Sequence, residues 1–101
     1  MEYQLVTEGD SHVVRLSGEL GFADIDACRP IMEAFRTSEA QRFVVELSRL
    51  IAIDSSGLGV LISIRNSAIR RGAAFVLKGA RGDVAATLKM TRFDVLATFE
   101  D

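Results

Sequence analysis

The chemistry this chain could do is concentrated in one run, Asp54-Ser55-Ser56-Gly57-Leu58-Gly59. An apolar, β-branched stretch from Phe43 to Leu47 precedes it, and apolar residues recur at helical spacing after it as far as Ile69. An acid and two hydroxyls therefore sit where a strand hands over to a helix. The first N–H groups of a helix lack intrahelical partners and carry partial positive charge. Such a place holds an anion, and it presents a serine hydroxyl on a rigid element. Asp and Ser are also preferred N-cap residues, so Asp54 or Ser55 could be present only as a cap. Capping accounts for one of these polar residues and leaves Gly57 and Gly59 unexplained. Each glycine inside a helix costs roughly 1 kcal/mol relative to alanine. Close approach of another backbone or a ligand is what offsets that cost.

Other chemistry fits poorly. His12 is the only histidine and lies at a distant turn, so neither a metal site nor a base for Ser55 is in view. Ser55 is not in a Gly-x-Ser-x-Gly elbow, which weakens a serine-hydrolase reading. Gly57-Leu58-Gly59 is followed by Ile62 where a dinucleotide fingerprint needs glycine, and no Walker lysine follows any glycine loop. No cofactor and no metal is implied. An enzyme reading is therefore poor.

The elements that position the run follow from patterning. Tyr3 to Thr7 and Val13 to Ser17 read as strands joined by the turn-rich Glu8-Gly9-Asp10-Ser11, an antiparallel hairpin. Asp24 or Asp26 is expected to cap a helix to about Arg36, with Ile25, Cys28, Met32 and Phe35 on one face, although Pro30 suits only a first turn. In the helix after the run, Val60, Leu61, Ile64 and Ala68 form one arc, and Leu58, Ile62, Arg65 and Ile69 an adjoining one. The whole stripe is core with Arg65 snorkelling out, or Leu58, Ile62 and Arg65 form a docking surface beside Ser55; the sequence leaves both open. Ser63, Asn66, Ser67 and Arg70 take the opposite face, and Gly72 ends the helix. Ala74 to Leu77 is a fourth strand, Asp83 caps a third helix, and the basic Lys78, Arg81, Lys89 and Arg92 lie around it. A hairpin followed by alternating strand and helix gives an α/β fold: a mostly parallel, mixed sheet with helical crossovers, spanning 1–101 as one domain. Sites in such sheets lie at the C-terminal ends of the strands, where the central run falls.

Composition agrees. With 101 residues, 49% apolar and 26% charged, the chain can build a core without metal or disulfide staples. A formal charge of −2 gives no electrostatic basis for direct nucleic-acid binding. The single Cys28 suits a reducing compartment, and no run reaches membrane-spanning length, so the expectation is a cytoplasmic protein without membrane insertion.

The run Ile53 to Leu61 resembles the signature of the STAS domain, specifically the stand-alone anti-sigma-factor antagonists. Leu16-Ser17-Gly18-Glu19-Leu20 and Leu88-Lys89-Met90-Thr91 resemble the end of the family's second strand and its late helix and turn. The resemblance implies that Ser55 is phosphorylated by a partner serine kinase, within surroundings formed by Asp54, Ser56, Gly57 and Gly59. It also implies partner switching: the unmodified protein binds an anti-sigma factor with kinase activity, the phosphorylated one releases it, and a PP2C-type phosphatase resets it. The alternative is a constitutive STAS scaffold in a signalling or transport complex. Two departures stand out. Gly21 replaces a frequent aspartate, for which Asp24 could stand in, and Arg92 replaces a frequent glycine, which implies a differently built turn. The chain's end at Asp101 leaves little room for the last helix many relatives possess.

Overall fold

Residues 43–47 are buried except at their polar position, and the strand they begin, β3 (Arg42–Ile53), runs through the middle of the sheet. The computed structural model describes residues 1–101. β1 (Glu2–Glu8) and β2 (Ser11–Leu20) form the expected antiparallel hairpin. β2, β3, β4 (Ala74–Lys78) and β5 (Thr98–Glu100) are parallel neighbours, in the order β1-β2-β3-β4-β5. α1 (Arg29–Arg36), α2 (Ser55–Arg71) and α3 (Gly82–Met90) lie in the crossovers between successive parallel strands. Crossovers of one hand joining adjacent strands in sequence place their helices on one face. The architecture is the mixed α/β sheet that the patterning implies.

The helical face holds the main core, where Phe43, Val45 and Leu47 of β3 meet Phe35 of α1 and Leu61 and Ile64 of α2, all at most 1% exposed. His12 stacks on Phe35 at 4.8 Å between ring centroids, and Phe35 on Phe43 at 5.0 Å. Burial pulls the His12 pKa down, which favours the neutral ring. The opposite face has no helix, yet Val13, Val44 and Val76 are buried there against Val6. Strand alternation puts Glu8, Arg15, Arg42, Glu46 and Glu100 on that same face. Arg15 joins Glu8 (2.8 Å) and Glu46 (3.1 Å), and Arg42 joins Glu100 (2.8 Å). Exposed ion pairs contribute little by themselves. Their aliphatic stems do for the valines what a helix layer does on the other side.

The structure corrects several local expectations. Neither Asp24 nor Asp26 caps α1, because two 3-10 turns, Phe22–Asp24 and Asp26–Cys28, come first and α1 proper starts at Arg29. Pro30 then falls in the first turn, where its missing N–H is no loss. The fully buried residue of the next turn is Ile31, with Met32 only half-buried. Ser67 is buried rather than on an exposed face, and its hydroxyl accepts from Arg70 Nη2 at 3.1 Å. Asp83 sits inside the first turn of α3 without making a side-chain cap; the cap position is Arg81.

Arg92 lies in the left-handed region (φ 60°, ψ 38°), the only residue other than glycine with positive φ. The turn therefore keeps a conformation suited to glycine and simply tolerates a side chain in it. That conformation costs an L-residue roughly 1–2 kcal/mol, only partly offset by an exposed pair with Asp94. Arg92→Gly is expected to leave stability unchanged or raise it by about 0.5 kcal/mol, since glycine's greater freedom when unfolded takes back part of the relief. Urea denaturation measures it, and a loss above about 1 kcal/mol would mean that the side chain holds the turn.

Candidate functional site

β3 ends at Ile53, and Asp54 (φ −110°, ψ −174°) is the extended residue from which α2 starts. Its carboxylate serves two elements. Oδ1 accepts the Gly57 N–H at 3.0 Å, which caps α2, and Oδ2 accepts the Phe22 N–H at 3.1 Å, which holds the turn leaving β2. The Asp54 N–H donates to the Leu20 carbonyl at 3.2 Å. The bonds that the carboxylate accepts, that of Gly57 first and then that of Phe22, hold the Asp54 carboxyl below the usual carboxylate range. Of the two capping candidates, Asp54 is therefore the cap. Ser55 is left as the first residue of the helix, exposed, its hydroxyl bonded to nothing within the chain. Ser56 is half-buried.

The two glycines separate. A Cβ on Gly57 would lie 2.5 Å from the Leu20 carbonyl oxygen and 2.7 Å from Ile53 Cγ1, so the first turn of α2 packs directly on the ends of β2 and β3. A Cβ on Gly59 would meet nothing within 4 Å. The close approach that Gly57 permits is thus internal. Gly59 has no internal explanation.

Gly21 belongs to the same corner. A Cβ there would stand 2.8 Å from Asp54 Oδ2, the oxygen that holds Phe22, so a side chain at this position has to shift the Asp54 carboxylate. Its N–H donates to Asp24 Oδ2 at 3.0 Å, while Asp24 Oδ1 lies 3.3 Å from the Met1 amino group. The Gly21 bond and then the amino group hold the Asp24 carboxyl low, against an opposing push from the charge of Asp54. Asp24 therefore does bring a second negative charge beside Asp54. A groove of about 520 Å³ opens here, lined by the acids Glu19, Asp24 and Asp54 and by Leu20, Ala52 and Ile53. Phe22 stands beside it, 80% exposed, a residue that the patterning did not single out.

The stripe along α2 is neither wholly core nor wholly free. Leu58 and Ile62 are half-buried against the core. Arg65 does not snorkel into solvent: its Nε donates to the Leu96 carbonyl at 3.1 Å and ties the segment before β5 to α2. Ile69 is the exposed apolar member of this arc, at 58%. His12, packed on Phe35, is no part of the corner.

The profile of the STAS domain matches residues 3–101. The chain belongs to the STAS domain family. Among solved structures, protein TM1081 of Thermotoga maritima is similar over 98% of this chain and 86% of its own, with 22% identity and a TM-score of 0.88. An anti-sigma factor antagonist of Mycobacterium paratuberculosis follows over 98% and 84%, with 20% identity and a TM-score of 0.85. The Bacillus cell-fate determinant SpoIIAA, in its phosphorylated form, is similar over 97% and 90%, with 18% identity and a TM-score of 0.73. At these identities the likeness establishes a shared fold.

Two outcomes follow from this geometry of the STAS domain. Gly57→Ala is expected to destabilise the fold by about 1–3 kcal/mol, as overpacking does, whereas Gly59→Ala should stabilise it by about 1 kcal/mol. Denaturant melts of both variants decide it, and equal effects would show that the two positions are not distinct. The second concerns acid. A carboxyl whose pKa is lowered by folding contributes stability above its unfolded pKa, and that contribution is lost as pH falls through the folded value. Asp54→Asn, which keeps a capping oxygen but no charge, should flatten the fall of Tm below about pH 4. An unchanged acid limb would assign that loss to other carboxyls.

Proposed function

We propose that this STAS domain is an anti-sigma factor antagonist controlled by phosphorylation of Ser55. The observation that carries the proposal is the division of labour at the start of α2: Asp54 satisfies the helix end, and the Ser55 hydroxyl is exposed and unbonded. A kinase can then take the hydroxyl without dismantling a cap. The unmodified chain binds an anti-sigma factor with serine-kinase activity, the phosphorylated chain releases it, and a PP2C-type phosphatase restores binding. Such a module works in the cytoplasm without a membrane segment, and no helix here is long and apolar enough to cross a membrane.

The physics of release is local. A phosphate adds about −1.5 to −2 charges at neutral pH, in a corner that already holds Glu19, Asp24 and Asp54. The Gly57 N–H that would greet it is already taken by Asp54, so phosphate gains little from the helix end and leaves the fold nearly unmoved. Charge and bulk at the contact then displace the partner. Leu58 and Ile62 contribute their exposed edges to that contact. Gly59, open to solvent, lets a partner backbone approach α2 closely. Arg65 contributes through the position of the segment it holds.

With the cognate kinase and ATP, Ser55→Ala should abolish phosphorylation and Ser56→Ala should leave it measurable, because successive helical residues point about 100° apart. Mass-spectrometric localisation of the phosphate to Ser56 would overturn the assignment. Stable association with a partner and no phosphate on either serine would support a constitutive scaffold instead.

A further inference from the structure

Phe22 is the most exposed aromatic side chain of the molecule, at 80%, and the fold gains nothing visible from it. An exposed phenylalanine on a mobile loop would carry no meaning, but this one is fixed. Its N–H is held by Asp54 Oδ2 at 3.1 Å, and its carbonyl accepts the Ile25 N–H at 3.3 Å. The preceding Gly21 is pinned by Asp24 at 3.0 Å. Through Oδ1 the same Asp54 carboxylate caps the helix that presents Ser55. One carboxylate thus fixes both the backbone that carries the ring and the helix end that carries the phosphoacceptor. The ring stands beside the groove bordered by Glu19, Asp24 and Asp54, so an apolar projection lies within a field of negative charge.

We infer that Phe22 is an anchor for the kinase that acts on Ser55, inserting into an apolar pocket on that partner whose rim carries lysine or arginine. This rests on the phosphorylation proposed above and adds to it a contact outside α2. Aromatic side chains are among the residues that dominate interface energies, and a backbone already fixed has less freedom to lose on binding. The acids around the ring select the charge of the pocket's rim and speed encounter with it.

The test is steady-state phosphorylation of the full chain by the serine kinase that modifies Ser55, with the chain as the varied substrate. Phe22→Ala is expected to raise KM by at least about tenfold, as loss of an interface anchor does, with kcat nearly kept and the thermal melt unchanged. Phe22→Leu should recover much of the affinity. Glu19→Lys should raise KM as well, and addition of salt should raise KM for the wild type. An unchanged KM for Phe22→Ala while Ser55 is still phosphorylated would overturn the anchor and leave the switch standing. A lower KM for Glu19→Lys would overturn the basic rim. A wild-type chain that no anti-sigma factor kinase phosphorylates would overturn the switch, and the anchor with it.

Discussion

The carboxylate of Asp54 joins the start of α2 to the turn that leaves β2. It closes the free end of α2 through Gly57 and fastens the turn after β2 through Phe22, with the Leu20 carbonyl completing the clamp from the other direction. Such a clamp needs an acceptor with two oxygens in a plane, short enough to stay near its own backbone. Asp alone meets that description, and its charge strengthens each bond that it accepts. It also needs empty space on both sides. Gly57 supplies it against Leu20 and Ile53, and Gly21 supplies it against the carboxylate itself. Gly21 and Asp54, far apart in sequence, are therefore chosen together by one contact, 2.8 Å between a missing Cβ and an oxygen.

The rest of the fold makes that corner stiff. β3 pairs with β2 along its whole length and with β4 only from Arg42 to Glu46, so its C-terminal half reaches past β4. That half carries the handover to α2 beyond the end of the neighbouring strand, which exposes it. The core beneath is anchored by Leu20, Leu50 and Val60, each at most 4% exposed. Further along α2, Arg65 donates to the carbonyl of Leu96 and ties the segment before β5 to the helix. A side chain that looked available for a partner is spent on tertiary structure. Half-buried Leu58 and Ile62 complete the same pattern, in which α2 shows a partner edges more than faces.

Much of this was legible in the amino-acid order. Hydrophobic alternation and spacing located four of the five strands and all three helices approximately, because burial on one or two faces leaves a period that survives tertiary packing. Ends were less legible. Two 3-10 turns before α1 and the uncapped start of α3 depend on how the chain leaves a strand, which local composition does not encode. At the site, Asp54 as a cap and Ser55 as the free hydroxyl were among the options, but a single sequence could not divide the roles between them. The meaning of Gly57 required Leu20, thirty-odd positions away. Gly21 was visible as a departure and its cause was not, because the contact is with Asp54. Phe22 carried no signal at all: an isolated phenylalanine near apolar residues reads as core, and only its exposure says otherwise.

What the corner does to function follows from how charge is arranged in it. The chain's net charge is only −2, yet Glu19, Asp24 and Asp54 converge on one groove, and the single cation bound among them is the amino group of Met1. Asp24 and Asp54 are kept ionised by backbone N–H groups, those of Gly21 and Gly57 foremost, so their charge persists below the usual carboxylate range. A negative field built this way is permanent at physiological pH and does not rely on flexible partners. It favours a positively charged contact before Ser55 is modified. In the proposed switch, a phosphate on Ser55 would face Asp24 and Asp54, whose oxygens are committed to the fold. The proposed switch would in this way be separate from the stability of the domain: the hydrogen bonds that hold the corner are spent on Asp54 and Asp24, and the exposed Ser55 hydroxyl lies outside them.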